Sequence, residues 1–464
     1  MHQLPRDTPA SQGVDPAAVL GFLDAVDADP AVELHGLMVL RHGHVVAEGW
    51  WAPHTPERTR LLYSISKSFT STALALAVDE GLLGLDDTVL DHFPEYADED
   101  LSAYTRSTTL RHLASMASGH GREMWPEAVA ADPSEPVRGF LVSAAPEHAP
   151  GSVFAYSQPC TYTVAAAIQR RTGQRLSEYL RARLFDPLGI GEVGWRCFPP
   201  GREQGFSGLF ARLEDVAKLG QLYLQRGRWG DDQLIPVAYV DEATSAQVPS
   251  PDMDQPDWSQ GYGYCFWIAR HGYRGDGAFG QFCIVLPEHD AVIAITGGTE
   301  AMQEVVDHVW SQLLPGLGGS VDASAQDALD DRLRTLGLPP CAADPSPVVR
   351  ADEAGPGLAA GTFTVSRGDD RIEVTATEGD NILTFPVGLG SWLTSEPVDA
   401  YGDPVPLAAS GGWIDGDTLR VEVVFLETPH RIDVECSLSS GASHATWRTA
   451  PLDGGRIKTL HRPR

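Results

Sequence analysis

Tyr63-Ser64-Ile65-Ser66-Lys67 is the stretch that decides how this chain folds. A serine and a lysine stand three residues apart, and the run 68–80 that follows is rich in helix formers. It sets Phe69, Ala73, Leu76 and Ala77 at helical spacing and stops at Gly81, which predicts a buried helix with a glycine stop. Ser64 falls in its first turn, and the spacing of three brings the Lys67 amine back over the Ser64 hydroxyl on the same face. A serine hydroxyl is a weak nucleophile at neutral pH and needs a base within reach. A lysine becomes such a base only when desolvation or cationic neighbours lower its pKa. A buried helix start supplies desolvation, and its positive N-terminal potential disfavours the ammonium form and stabilises charge developing on the serine. Only Lys67, Lys218 and Lys458 among the 34 basic residues are lysine, so an arginine-using chain keeps a titratable amine here. The plain alternative is coincidence, because Ser-x-x-Lys is a short pattern on any helical face.

With 464 residues and a formal charge of −29, the chain is long enough for two or three domains and a sizeable core. An acidic surface repels nucleic acid and anionic membranes, so neither is expected as a partner. The start, Met1-His2-Gln3-Leu4-Pro5-Arg6-Asp7, has no apolar signal-type stretch, and no later run reaches the roughly 18 apolar residues of a membrane span. A soluble, cytoplasmic protein is expected. Cys160, Cys197, Cys265, Cys283, Cys341 and Cys436 lie far apart without a Cys-x-x-Cys pair, and no His-Glu-x-x-His occurs. No metal, cofactor or disulfide framework is therefore expected. Gly-x-Ser-x-Gly is absent too: Gly205-Phe206-Ser207-Gly208-Leu209 lacks the second glycine, which removes the usual support for an α/β-hydrolase.

In chain order, residues 15–28 predict an amphipathic helix and residues 37–40 and 45–50 a hairpin. Residues 120–150 read as loop and short helix, with Trp125 as a candidate pocket wall. Tyr156 precedes a helix expected over 162–172 and is placed to point into a cleft, although an isolated tyrosine is more often a half-buried aromatic. A helix is expected at about 213–225, with Lys218 facing solvent. From Gly261 the pattern turns to strands over 264–269, 281–286 and 291–296, an antiparallel meander. Between the first two lies Gly275-Asp276-Gly277-Ala278-Phe279-Gly280-Gln281, whose glycines allow a ligand close to the backbone, or simply mark a bulge or turn. Residues 316–350 read as a linker with a short helix at 327–336. Residues 351–464 read as an all-β domain, a sandwich or small barrel, from alternating runs such as 371–377, 418–425 and 431–438.

Taken together, residues 11 to about 315 resemble the serine β-lactamase and penicillin-binding protein superfamily. The likeness is greatest to its class C β-lactamase, esterase and 6-aminohexanoate-dimer hydrolase branch. It rests on Tyr63-Ser64-Ile65-Ser66-Lys67-Ser68-Phe69, Asp79-Glu80-Gly81-Leu82-Leu83-Gly84-Leu85-Asp86-Asp87, Leu113-Ala114-Ser115-Met116-Ala117-Ser118-Gly119, Tyr156-Ser157-Gln158, Asp186-Pro187-Leu188-Gly189-Ile190 and Gly277-Ala278-Phe279-Gly280-Gln281, in the family's order. The resemblance implies an antiparallel sheet flanked by helices beside a helical domain over residues 1–315, with the active site between them. It makes Ser64 the acylated nucleophile, Lys67 its deprotonating partner and Tyr156 a proton relay to the leaving group and water. It also makes the N–H groups of Ser64 and Ala278 an oxyanion hole, a contribution typically worth about a hundredfold or more in rate.

Two departures bear on substrate. Where the family carries Lys-Thr-Gly, this chain has Gly275-Asp276-Gly277, so a substrate carboxylate meets Asp276 rather than a cation, with Arg274 as partial compensation. Gln158 stands where asparagine is usual and lengthens the reach of a substrate-binding amide. The expected function is hydrolysis of small neutral or cationic esters or amides through an acyl-enzyme. The alternatives are a β-lactamase or D-amino-acid peptidase, and a noncatalytic binding or sensor protein on the same fold.

Overall fold

The computed structural model describes residues 3–251, 253–341, 361–367, 372–437, 439–452, 454 and 456–463. The second part of the expected linker (342–350), the start of the expected β domain (351–360), and Arg371 and Leu438 at the ends of two expected strands lie outside the described residues.

The predicted hairpin is Leu34–Arg41 with His44–Trp50, and it forms one side of a six-stranded sheet. The order across the sheet continues through Ala291–Gly297, Gln281–Leu286, Tyr273–Gly277 and Trp267–Ile268, every pair antiparallel. Val19, Phe22 and Leu23 of the helix Pro16–Ala28 join Val305 and Val309 in covering one face, against Phe282, Ile284 and Ile293. The serine helix Ile65–Asp79 and the helix Leu213–Leu224 cover the other. Gly220 lets the latter lie close, since a side chain there would run into Val292 and Cys283. With both faces covered, the strands read as continuous apolar runs rather than alternating ones.

The serine helix is buried from Ile65 to Ala77, because the sheet takes one side and a helical layer the other. Gly81 ends this segment at φ +68°, a conformation that suits glycine. The helix beside it is Gln158–Thr172, which begins four residues before the expected start, with Pro159 in its first turn. Proline is tolerated there because the first N–H groups of a helix have no partner within it. Two expectations are corrected. The strand expected over 264–269 is only Trp267–Ile268, Cys265 at φ +60° having turned the chain just before it. Lys218 does not face solvent: it is buried, and its Nζ donates to the Gly189 carbonyl at 3.3 Å.

After the helix Gln326–Arg334 the chain enters a β domain. Its strands run in the order Gly361–Arg367, Ile372–Glu378, Asn381–Leu389, Leu407–Trp413, Thr418–Phe425, Arg431–Ser437 and Ser443–Thr449, with Leu393–Ser395 beside Leu407–Trp413. The Phe363 N–H donates to Ser443 Oγ at 3.2 Å, so the last strand comes back to the first and the sheet nearly closes around Val374, Phe385, Val421, Ile432 and Trp447. This domain does not hang free, for Ala408, Val424 and Leu426 pack into the same apolar cluster as the six-stranded sheet. Among the described residues no helix is long and apolar enough to cross a membrane.

Candidate active site

Ser64 immediately precedes the serine helix, and Lys67 sits one turn later at 1 % exposure. The Lys67 amine has three neighbours at hydrogen-bond distance: Gln158 Oε1 at 2.7 Å, the Phe206 carbonyl at 2.8 Å and Ser64 Oγ at 3.0 Å. Two of them can only accept. A neutral amine carries two hydrogens, so Gln158 and Phe206 take both and leave the lone pair on the Ser64 side. Burial pushes the Lys67 pKa down to about 7, while the nearby Cys265, Glu123 and Asp276 push it back up. Desolvation, then, and not cationic neighbours, makes this amine titrate near neutrality.

Tyr156 lies against the same amine, its ring centre 4.7 Å from Lys67 Nζ, and is stacked on Trp267 at 5.5 Å. Burial drives the phenol pKa well above its usual value, against a lowering interaction with the Ser64 hydroxyl. Tyr156 is therefore a neutral phenol beside the serine at neutral pH. Gln158 opens its helix, and its N–H donates to Glu123, whose carboxylate also accepts from the N–H groups of Met124 and Trp125. Glu123 thus ties the 123–125 turn to the residue that holds Lys67. Trp125 does not touch Lys67 directly: it packs on Phe206 at 4.7 Å, and the Phe206 ring lies 5.7 Å from the amine.

The strand Tyr273–Gly277 forms the opposite wall. On this strand Trp267 and Ile268 reach no further than Arg274 and Tyr273, so among the described residues the edge at 275–277 has no strand partner on that side. Gly277 is needed for the approach, because a Cβ there would lie 2.2 Å from the Leu62 carbonyl and 3.1 Å from the Ser64 nitrogen. Gly275 makes the same allowance for Ser68 Oγ. Ala278 follows Gly277 in the turn, where the buried Gln281 amide donates to the carbonyls of Ala278 and Phe279. Arg274, expected to compensate Asp276 in part, lies on the same strand face two residues earlier, 3.2 Å from its carboxylate. Arg274 is itself fully buried, donates to the Asp257 carbonyl at 2.7 Å and lies over the Trp258 ring.

Beside Tyr156 opens a cavity of about 390 Å³ walled by Phe154, Tyr156, Pro249, Pro251 and Met253, with Arg122 at its rim paired to Glu127. Among the described residues, one group of side chains could hold a metal ion: Asp399, Asp403 and His461 of the β domain. Asp399 Oδ1 there already accepts from the N–H groups of Tyr401 and Asp403. Sequence reasoning missed Glu123, one acidic residue among 63, and nothing in its local pattern set it apart.

The family model described as Beta-lactamase matches residues 25–307. Penicillin-binding protein 4 of Amycolatopsis lactamdurans is 24% identical over 296 residues, covering 55% of this chain and 76% of its own. The 6-aminohexanoate-dimer hydrolase of Paenarthrobacter ureafaciens is 26% identical over 295 residues, covering 55% of this chain and 70% of its own. Among solved structures, that of SurE with D-Leu aligns over 88% of this chain and 97% of its own, with TM-score 0.52 and 18% identity, a likeness of fold that includes the β domain. The chain belongs to the β-lactamase family, as an enzyme of the serine hydrolase type.

Proposed function

We propose that the chain hydrolyses small neutral or cationic esters or amides through an acyl-enzyme on Ser64. Neutral Lys67 takes the hydroxyl proton as Ser64 Oγ attacks the substrate carbonyl. The resulting oxyanion is held by the N–H groups of Ser64 and Ala278. The proton passes through Tyr156 to the leaving group as the scissile bond breaks. A water then attacks the acyl carbon, gives its proton back along the same groups and frees Ser64. The observation that carries this reading is the Lys67 amine, whose two fixed acceptors leave its lone pair facing Ser64 Oγ at 3.0 Å. The similarity to a protein named 6-aminohexanoate-dimer hydrolase supports the substrate class. So does the lack of an available cation on the strand wall, since Arg274 is buried and committed to Asp276 and Asp257.

The test is hydrolysis of a short-chain p-nitrophenyl ester beside nitrocefin, for wild type and Ser64→Ala, with intact-mass detection of acylated protein. Ester turnover and acylation that vanish in Ser64→Ala, with little nitrocefin cleavage, are expected. Rapid nitrocefin cleavage would overturn the substrate class, and turnover surviving in Ser64→Ala would overturn the mechanism.

A further inference from the structure

Each of the two proposed oxyanion donors adjoins a bulky residue in the left-handed backbone region: Tyr63, before Ser64, has φ +47°, and Phe279, after Ala278, has φ +65°. Such conformations are costly for an aromatic residue and persist only where the surroundings enforce them. Both residues rest on one side chain of the β domain, His430. Its Nε2 lies 2.8 Å from the Tyr63 hydroxyl, and its ring meets Tyr63 and Phe279 edge-on at 5.8 and 5.3 Å. Tyr63 and Phe279 also touch each other at 5.4 Å.

The direction of the hydrogen bond follows from chemistry. His430 Nδ1 lies 2.9 Å from the Thr449 carbonyl, which can only accept, so Nδ1 carries the hydrogen. Burial pushes the ring's pKa down to about 3, so Nε2 is a bare lone pair and Tyr63 donates to it. The rest of the 426–430 loop grips the same segment: the Glu427 carbonyl accepts from the Leu61 N–H at 2.8 Å, and the Leu426 and Thr428 carbonyls accept from Arg60. Of these contacts, only His430 reaches both donor segments.

We propose that His430 is a positioning residue through which the β domain holds Tyr63 and Phe279 in place, and so aims the N–H groups of Ser64 and Ala278 at the substrate carbonyl. This rests on the reading of Ser64 as the acylated nucleophile. A brace of this kind acts on the transition state and leaves substrate binding alone.

The experiment measures kcat and KM for the p-nitrophenyl ester, affinity for an arylboronic acid as transition-state analogue, and melting temperature. The full-length variants are Tyr63→Phe, His430→Leu, His430→Gln and Ser64→Ala. Tyr63→Phe and His430→Leu are expected to lower kcat about tenfold or more, a misaimed donor costing less than the roughly hundredfold of a deleted one. KM should hold within about twofold, and boronate affinity should fall in step with kcat. His430→Gln, which restores an acceptor near the place of Nε2, is expected to recover most of the loss. Unchanged kcat and boronate affinity in folded Tyr63→Phe would overturn the brace, and that variant decides the matter even if His430→Leu does not fold. A loss that tracks only the fraction of folded protein, with boronate affinity per site intact, would also overturn it. Turnover abolished in Ser64→Ala but untouched in Tyr63→Phe sinks the brace alone, whereas turnover retained in Ser64→Ala sinks the hydrolase reading and the brace with it.

Discussion

Arg60 and Lys67 are buried cations seven positions apart, one on each side of Ser64, and among the described residues neither faces a carboxylate at hydrogen-bond distance. Burial pushes Arg60 down to about 9 and Lys67 to about 7, so at neutral pH the first stays charged and the second is half-titrated. Arg60 spreads its fork over His54 Nδ1 and His35 Nδ1, both at 2.6 Å, and over the Leu426 and Thr428 carbonyls of the β domain. His35 is itself pushed to about 4 by burial, which keeps it a neutral acceptor. Arg60 thus turns its charge into a fixed joint between domains, while Lys67 gathers its partners on one side and leaves an electron pair toward the serine. Similar desolvation yields an anchor from a planar guanidinium and a base from an amine.

Exchanging the side chains breaks that comparison most sharply. Lys67→Arg keeps the charge and removes the removable proton, so kcat is expected to fall about 10³-fold, within the range typical of a lost general base. Circular dichroism and the melting temperature check that the fold survives. In the reverse exchange, Arg60→Lys loses the fork and leaves about two of its four acceptors unpaired. It should destabilise the protein by about 2 kcal/mol, read as a lower urea midpoint.

The pH profile separates the two cations further. A protonated Lys67 has no lone pair for Ser64, so kcat/KM should fall about tenfold per pH unit below about 7 and level off above it. Tyr156 is expected to add no decline of its own on the alkaline side of neutrality, because burial drives its phenol well above the usual value. Lys218 supplies the control. It is also buried and its pKa is also lowered by desolvation, yet its amine meets the Gly189 carbonyl and no nucleophile. Lys218→Met should change kcat by less than about twofold, and a larger loss would mean that burial alone does not sort these lysines.

The contact between Lys67 and Ser64 could be read from the chain, because helix geometry acts over short range and a spacing of three puts one over the other. Gly277 marked a close approach, although what comes close is the chain's own 62–64 segment and not a ligand. The partial compensation of Asp276 by Arg274 is legible too, and it is the alternation along Tyr273–Gly277 that puts the two on one strand face. Lys218 was misjudged because helical spacing tells which face is apolar, and not that the 186–189 turn covers the other. Glu123 and His430 left no local trace. Each acts by tying together segments that meet only once the chain has folded.

The hydrogen bond between Tyr63 and His430 spans 367 positions, and that separation has a meaning in time. A ribosome adding about 5–20 residues per second releases the Ser64 segment roughly 20–70 s before it makes His430. During that interval the nascent chain holds Ser64 and Lys67 without the loop that packs behind them. This wall waits on residue 430, so a chain truncated before it would carry Ser64 without the contacts that His430 makes to Tyr63 and Phe279.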